Sequence, residues 1–168
     1  IEGEFQDERY WEHREKEVNE WLKVEPLEMP DDLCVIGFRG GEFKVFPDLF
    51  LTQDYWYKAI GMVKSMLAQQ GKEVRFEVHT DDVESAREMF PDTGINKFKI
   101  IHDIGYNWRS VRFARYAIIA NSSFFILPRW LKQAEDKNAI TISPRFWARR
   151  NTKTWALPSN YYKKFLYI

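Results

Sequence analysis

Apolar residues along this chain fall into two rhythms that alternate. Short apolar or period-two runs occur at DLCVIGF (32–38), EVRFEVH (73–79), KFKIIHD (97–103), AIIA (117–120) and AITIS (139–143), and each has the length and flanks of a strand. Between them lie stretches of helical period. QDYWYKAIGMVKSMLAQQG (53–71) closes on Gly71, DDVESAREMF (81–90) opens on a capping aspartate, NWRSVRFARY covers 107–116, and SSFFILPRWLKQAE (122–135) carries Pro128 inside it. Upstream, residues 5–22 place Phe5, Tyr10, Trp11, Val18, Trp21 and Leu22 near one helical stripe, after which Pro26 and Pro30 break the chain.

Strands alternating with helices predict an α/β fold: a Rossmann-like, three-layer domain around a mainly parallel sheet, with right-handed crossovers placing helices on both faces. The chain reads as one domain, with a leading helix and linker over 1–30, an α/β core over 31–150 and an aromatic tail over 151–168. Such sheets bind ligands at the carboxyl ends of their strands, in loops that lead into helices. The loops to inspect are therefore 37–48, 79–82, 102–107 and 121–123.

Bulk properties narrow the functional classes. With 168 residues the chain is long enough for a real core, and no internal repeat or low-complexity segment interrupts it. Its 25 Lys and Arg balance 25 Asp and Glu, so nothing global favours nucleic acid or an anionic membrane. The basic clusters at 145–150 and 163–164 are short and read as solvated surface. A single cysteine, Cys34, allows no intramolecular disulfide and fits a reducing, cytoplasmic compartment, with peripheral membrane association left open. No apolar run approaches the ~18–20 residues of a membrane span. The N-terminal residues lack the pattern of a signal peptide, and the absence of an initial Met fits an excised domain or processed fragment. Aromatic content of 17% fits a core plus a domain interface, with carbohydrate stacking an alternative that a count does not decide.

Three loops carry candidate chemistry. In GFRGGEF (37–43), adjacent glycines beside Arg39 permit close backbone approach to a ligand, and the guanidinium can bind phosphate bidentately. The same residues suit a tight turn with a solvent-exposed arginine. No helix opens inside this loop and no Lys-Ser or Lys-Thr follows it, so neither the dinucleotide fingerprint nor a P-loop is present. In HTDD (79–82), the paired aspartates could hold a divalent metal, but a helix N-cap and first turn explain Asp81 and Asp82 without one. In YAIIANSSFF (116–125), a strand ends at Asn121 and feeds a helix whose first turn carries Ser122, Ser123 and Phe124. That arrangement is a helix cap, or a cradle for an anion held by backbone N–H groups and two hydroxyls. Asn121-Ser122-Ser123 also matches the N-glycosylation pattern, yet the end of an inner strand is a poor acceptor. His13, His79 and His102 show no ligand spacing, so no zinc site is expected. A serine-hydrolase elbow is missing too.

Taken in order, these stretches resemble glycosyltransferase family 11, the α-1,2-fucosyltransferases with a GT-B-like donor half. GEFQDERYW resembles the family's Gly-Tyr-Phe-Gln-Ser-x-x-Tyr-Phe, and CVIGFRGGEF its His-x-Arg-x-Gly-Asp-Tyr loop. FEVHTDD resembles Phe-x-x-x-Ser-Asp-Asp, YAIIANSSFFILPRWL the Ile-Ile-Ala-Asn-Ser-Ser-Phe-Ser-Trp-Trp segment, and ISPRFW the closing Pro-Lys-x-Trp. The resemblance implies transfer of fucose from GDP-fucose to a glycan hydroxyl, with inversion and without a metal or other cofactor. On it, Arg39 neutralises the departing diphosphate, Ser122 and Ser123 cradle the β-phosphate, and Gly41 lets the loop approach the donor. Glu42 is the candidate base, and Gly37, Asp82, Asn107, Asn121 and Phe124 complete the donor site.

The chain also departs from the pattern. The family histidine is Gly37, the loop aspartate is Glu42, and a second arginine is replaced by Gly40. The acid that opens the helix before YAIIAN, and reads guanine, is Asn107, while the Trp-Trp pair is Ile126-Leu127. These changes point to a divergent member using another nucleotide or sugar, or to a non-catalytic module that binds a nucleotide or a glycan. The family's N-terminal half has no counterpart here, which implies either a separate N-terminal half as partner or self-association through apolar surface.

Overall fold

A computed structural model describes residues 7–93, 97–150, 154–156 and 162–168, with the side chains at 149, 150 and 154–156 left aside. Phe5 lies outside the described residues. Among the described residues, eight strands and five α-helices follow in chain order: α1 (Glu15–Trp21), β1 (Leu33–Phe38), α2 (Gln53–Ala68), β2 (Arg75–Thr80), α3 (Val83–Met89), β3 (Phe98–Ile101), α4 (Ile104–Phe113), β4 (Tyr116–Ile119), α5 (Ser123–Glu135), β5 (Ile140–Ser143), β6 (Ala148–Arg150), β7 (Thr154–Ala156) and β8 (Leu166–Tyr167).

Six strands form one sheet in the order β3-β2-β1-β4-β5-β8, and every pairing in it is parallel. Counted along the chain this is the 3-2-1-4-5-6 order of a doubly wound Rossmann-like sheet, flanked by helices. Strands β6 and β7 pair separately as an antiparallel hairpin. β1 sits centrally and all six of its residues are buried, which is why it reads as a continuous apolar run instead of an alternating one. Its side chains nevertheless alternate between layers. Phe38 packs edge-on to Phe50, Trp56 and Phe90 at 5.5–6.0 Å, toward α2. One residue earlier, the side-chain position of Gly37 faces Phe125 of α5.

In α2, Trp56, Ala59, Ile60, Val63 and Leu67 form the buried stripe that its periodicity predicts. α4 and α5 pack against each other in the opposite layer. There Arg129 is wholly buried, and its guanidinium donates to the carbonyls of Val111, Ala114, Arg115 and Ile140 and to Thr141 Oγ1. Burial pushes this guanidinium down to about 9; those five acceptors, several at the carboxyl end of α4, are what let a cation sit in the core. The helix tolerates Pro128 beside it, and Pro128 is itself buried.

Three sequence expectations are corrected. Residues 5–22 were expected as one helix, but the described part opens with two 3-10 turns, Glu8–Tyr10 and Glu12–Arg14, before seven residues of α1. The tighter turns shift the phase, so Trp11, Val18 and Leu22 reach the core whereas Tyr10 and Trp21 stay exposed. Helix α4 begins at Ile104, not Asn107, because the Asp103 carboxylate accepts from the Tyr106 N–H at 2.6 Å and caps it three residues early. AITIS is not the last strand: β8 joins β5 in parallel, and Ile168 N–H donates to the Ser143 carbonyl at 3.2 Å. Tyr162 and Phe165 bring the end of the aromatic tail into the core, where Trp11 stacks on Tyr162. Among the described residues, no helix is long and apolar enough to cross a membrane.

Candidate functional site

The sheet order reverses between β1 and β4, so the chain leaves their carboxyl ends toward opposite layers and opens a crevice between them. The loop after β1 carries Arg39; the turn after β4 carries Asn121 and Ser122. Sequence placed both at strand ends, and the structure makes those strands neighbours, with Cys34 opposite Tyr116 and Gly37 opposite Ile119.

Arg39 is held by two acids. Its Nη1 lies 2.9 Å from Asp81 Oδ2 and its Nη2 3.1 Å from Glu42 Oε1, while the guanidinium covers the Phe43 ring. Its Nε is buried and has no acceptor among the described residues. Of the two acids, Glu42 is the exposed one, at 66% for its side chain. Glu42 lies outside the cavity that Arg39 lines.

The glycines of this loop are explained by protein contacts. A Cβ on Gly41 would stand 2.5 Å from Asp81 Oδ2, and one on Gly40 would meet the Cβ atoms of Asp82 and Ser85 at 2.8 and 3.0 Å. Gly40 N–H also donates to Asp81 Oδ1 at 3.0 Å. The close approach Gly41 allows is therefore made to Asp81. At Gly37, a Cβ would fall 2.8 Å from the Phe125 ring, so no side chain fits without displacing that phenyl group.

Asp82 takes the capping role. Its carboxylate accepts from Ser85 N–H at 3.0 Å and Ser85 Oγ–H at 2.6 Å, and Lys44 stands 3.3 Å away. Hydrogen bonds from Ser85 first, with Lys44 behind them, hold its carboxyl below the usual range. Asn107 is buried in α4; its Nδ2 donates to the Thr80 carbonyl at 3.1 Å, leaving Oδ1 to face His79 Nδ1 at 2.9 Å. Since Asn107 Oδ1 accepts, His79 Nδ1 carries the proton.

Ser122 is the N-cap of α5 by backbone geometry, yet its hydroxyl makes no cap hydrogen bond. Its carbonyl accepts from the N–H groups of Phe125 and Ile126. The N–H groups of Ser123 and Phe124, in the first turn, have no helical carbonyl to bond and sit at the positive end of the helix. Ser123 is exposed and Phe124 half-buried. Asn121 is 2% exposed, and its Nδ2 donates to the carbonyls of Leu49 and Trp147. Burial at this depth makes it a poor glycan acceptor.

Some of these residues line an open-mouthed cavity of about 110 Å³, which neither Ser122 nor Ser123 reaches. Arg39 comes from the end of β1, Thr80 and Asp81 from the end of β2, and His102 from the end of β3; Ile104 and Asn107 come from α4, and Phe124 and Phe125 from α5. Of the residues singled out by sequence, Arg39, Asn107 and Phe124 meet here. Gly37 lies behind the wall, against Phe125, and Asp82 and Glu42 are turned to other partners. Thr80, His102, Ile104 and Phe125 had no ligand role in the sequence reading, and Asp81 was weighed only as a metal ligand or a helix-capping acid. The signal for four of them was position alone: Thr80 ends β2, Asp81 and His102 each follow a strand directly, and Ile104 opens the helix after β3.

The donor set is acid, arginine, imidazole and amide over an aromatic and aliphatic floor. No cluster of three or more His, Cys, Asp or Glu side chains among the described residues is placed to hold a metal ion. Comparison with protein-family models, curated proteins and solved structures finds no match for this chain.

Proposed function

We propose that this chain is the nucleotide-sugar-binding domain of a glycosyltransferase of the fucosyltransferase type, with a nucleoside diphosphate sugar such as GDP-fucose as donor and a glycan hydroxyl as acceptor. The observation that carries this reading is Arg39 at the switch point of the sheet, with a buried, unbonded Nε, opening onto a cavity walled by flat and aliphatic side chains. A volume near 110 Å³ holds one ring system, not a whole nucleotide sugar. The base occupies it against Ile104 and Phe124, and the diphosphate extends to Arg39 and the amino end of α5.

Glu42 is the partner the diphosphate displaces, because an exposed ion pair contributes only ~0–1 kcal/mol. In the transfer step the acceptor oxygen attacks the anomeric carbon. The bond to the β-phosphate oxygen breaks with its electron pair, and Arg39 stabilises the charge that develops there. The acceptor hydroxyl's proton passes to a base, for which Glu42 is the candidate in this loop once released from Arg39. With Asn107 bonded to His79 and Thr80 and no carboxylate at its position, the guanine-reading contact of the family is replaced, so the donor base is to be determined by experiment.

One observation favours a second reading, a non-catalytic module of the same fold: the only acid offered as base is paired to Arg39 and lies outside the cavity. Thermal unfolding in a panel of nucleoside diphosphates and nucleotide sugars tests the proposal. The expected result is a rise in Tm with at least one of them that Arg39→Ala removes. No shift with any member overturns it, and a shift without sugar transfer or donor hydrolysis selects the second reading.

A further inference from the structure

A second cavity, of about 130 Å³, lies at the carboxyl ends of β4 and β5 and has four aromatic side chains on its lining: Phe50, Tyr55, Phe146 and Trp147. Phe50 and Tyr55 come from the chain after β1, Phe146 and Trp147 from the chain after β5. Asn121 ties the two sides together, because its Nδ2 donates to the carbonyls of both Leu49 and Trp147. Phe50 is anchored edge-on to Phe38 at 6.0 Å, and the Tyr55 hydroxyl donates to the Ile119 carbonyl at 2.7 Å. Half of the aromatic wall is thus fixed to the sheet. None of the four rings lines the Arg39 cavity, and the inference drawn from them does not depend on nucleotide binding.

Two charged side chains share this lining, Asp48 and Arg145. Asp48 is half-buried, and its carboxylate makes no hydrogen bond or ion pair among the described residues. Arg145 is exposed, with its guanidinium 5.8 Å from the centroid of the Phe146 ring, so a cation already rests against this wall.

These features select among occupants. An anion drawn to Arg145 would lie against the negative faces of the rings and beside Asp48. A purely apolar molecule would strip water from Asp48 and bring no charge to offset the loss. A primary ammonium is tightly hydrated and brings three N–H groups that aromatic walls satisfy poorly. A methylated ammonium has charge for Asp48 and the rings, apolar surface for the walls, and no N–H to satisfy. We infer that this cavity binds a trimethylammonium group, the chemistry shared by choline and trimethyl-lysine. Size agrees, since a cavity of roughly 150 Å³ accommodates a six-membered ring and this compact head needs no more. Arg145 opposes such a ligand and, being exposed, turns toward water when it enters.

The test is saturation-transfer NMR on the whole chain with millimolar choline and free trimethyl-lysine. The control is the carbon isostere of choline, with a tert-butyl group in place of the trimethylammonium. Transfer to the N-methyl protons is expected, with the isostere weaker by about threefold or more. Trp147→Ala removes a wall and weakens choline binding by about tenfold. Asp48→Asn keeps the shape and breaks no contact, and it weakens choline but not the isostere. Arg145→Ala removes a like charge and tightens choline. The tighter of the two cations identifies the source of the group, and either order supports the site. No transfer with either cation overturns the inference, as does an isostere that binds as tightly as choline. Choline binding left unchanged by both Asp48→Asn and Trp147→Ala, or weakened by Arg145→Ala, overturns it too.

Discussion

Gly37 shows how one residue reports on two layers at once. Phe125 is 2% exposed and its ring lies 2.8 Å from where a Cβ on Gly37 would be, so β1 and α5 approach more closely than a side chain there permits unless the ring shifts. A larger side chain here, a histidine included, requires Phe125 to shift. Gly37→Ala is expected to lower stability by ~1–3 kcal/mol through overpacking. Urea unfolding checks it, with a reduced midpoint and an unchanged slope. An unchanged midpoint would mean that Phe125 moves aside freely. Asn121 is the complementary case: as a letter in Asn-Ser-Ser it suggests a cap or a glycan acceptor. Only the fold shows it buried, with its Nδ2 donating to the carbonyls of Leu49 and Trp147.

At the scale of elements, β2, β3 and α4 are tied by a chain of polar contacts that no motif announces. Lys99 Nζ meets Glu77 Oε1 at 3.0 Å, and Glu77 Oε2 lies 3.5 Å from His79 Nε2, long for a hydrogen bond. His79 stacks on Tyr106 and continues to Asn107 and the Thr80 carbonyl. His79 first, and Lys99 after it, hold the Glu77 carboxyl below its ordinary value of 4.5. A carboxyl with a lower value in the folded state stabilises the fold above pH 4.5 and loses that contribution as pH falls through the folded value. Tm measured against pH should therefore show wild type and Glu77→Gln separated at neutral pH and converging in acid. A constant separation would show that Glu77 acts by packing alone. The alternation of EVRFEVH revealed the strand, but it did not show that the face carrying Glu77 and His79 leaves His79 wholly buried. Periodicity identifies a face; it does not say that the face is covered by α4.

Across the whole molecule, Cys34 probes how continuous the core is. It lies in the central strand with no exposed surface, paired across to Phe76 on one side and Tyr116 on the other. Burial pushes its thiol far above the ordinary value, so thiolate is scarce in the native state. A thiol reagent should leave native protein unmodified and label one group per chain once the protein is unfolded in denaturant. Rapid labelling of native protein would show that the central sheet opens locally.

Sequence alone determined the alternation of strands and helices, hence a parallel α/β sheet, because apolar period and turn chemistry are local properties. It marked the loops where ligands gather, since every parallel strand ends on the same edge. It did not determine the order of strands, the return of residues 162–168 to supply β8, or the early start of α4 at its Asp103 cap. Nor could it assign Arg39 to Asp81, Asp82 to its cap, or Asn107 to His79. Those are choices among partners distant in sequence, and they are settled only when packing decides which groups are buried together and which acceptors remain unmet.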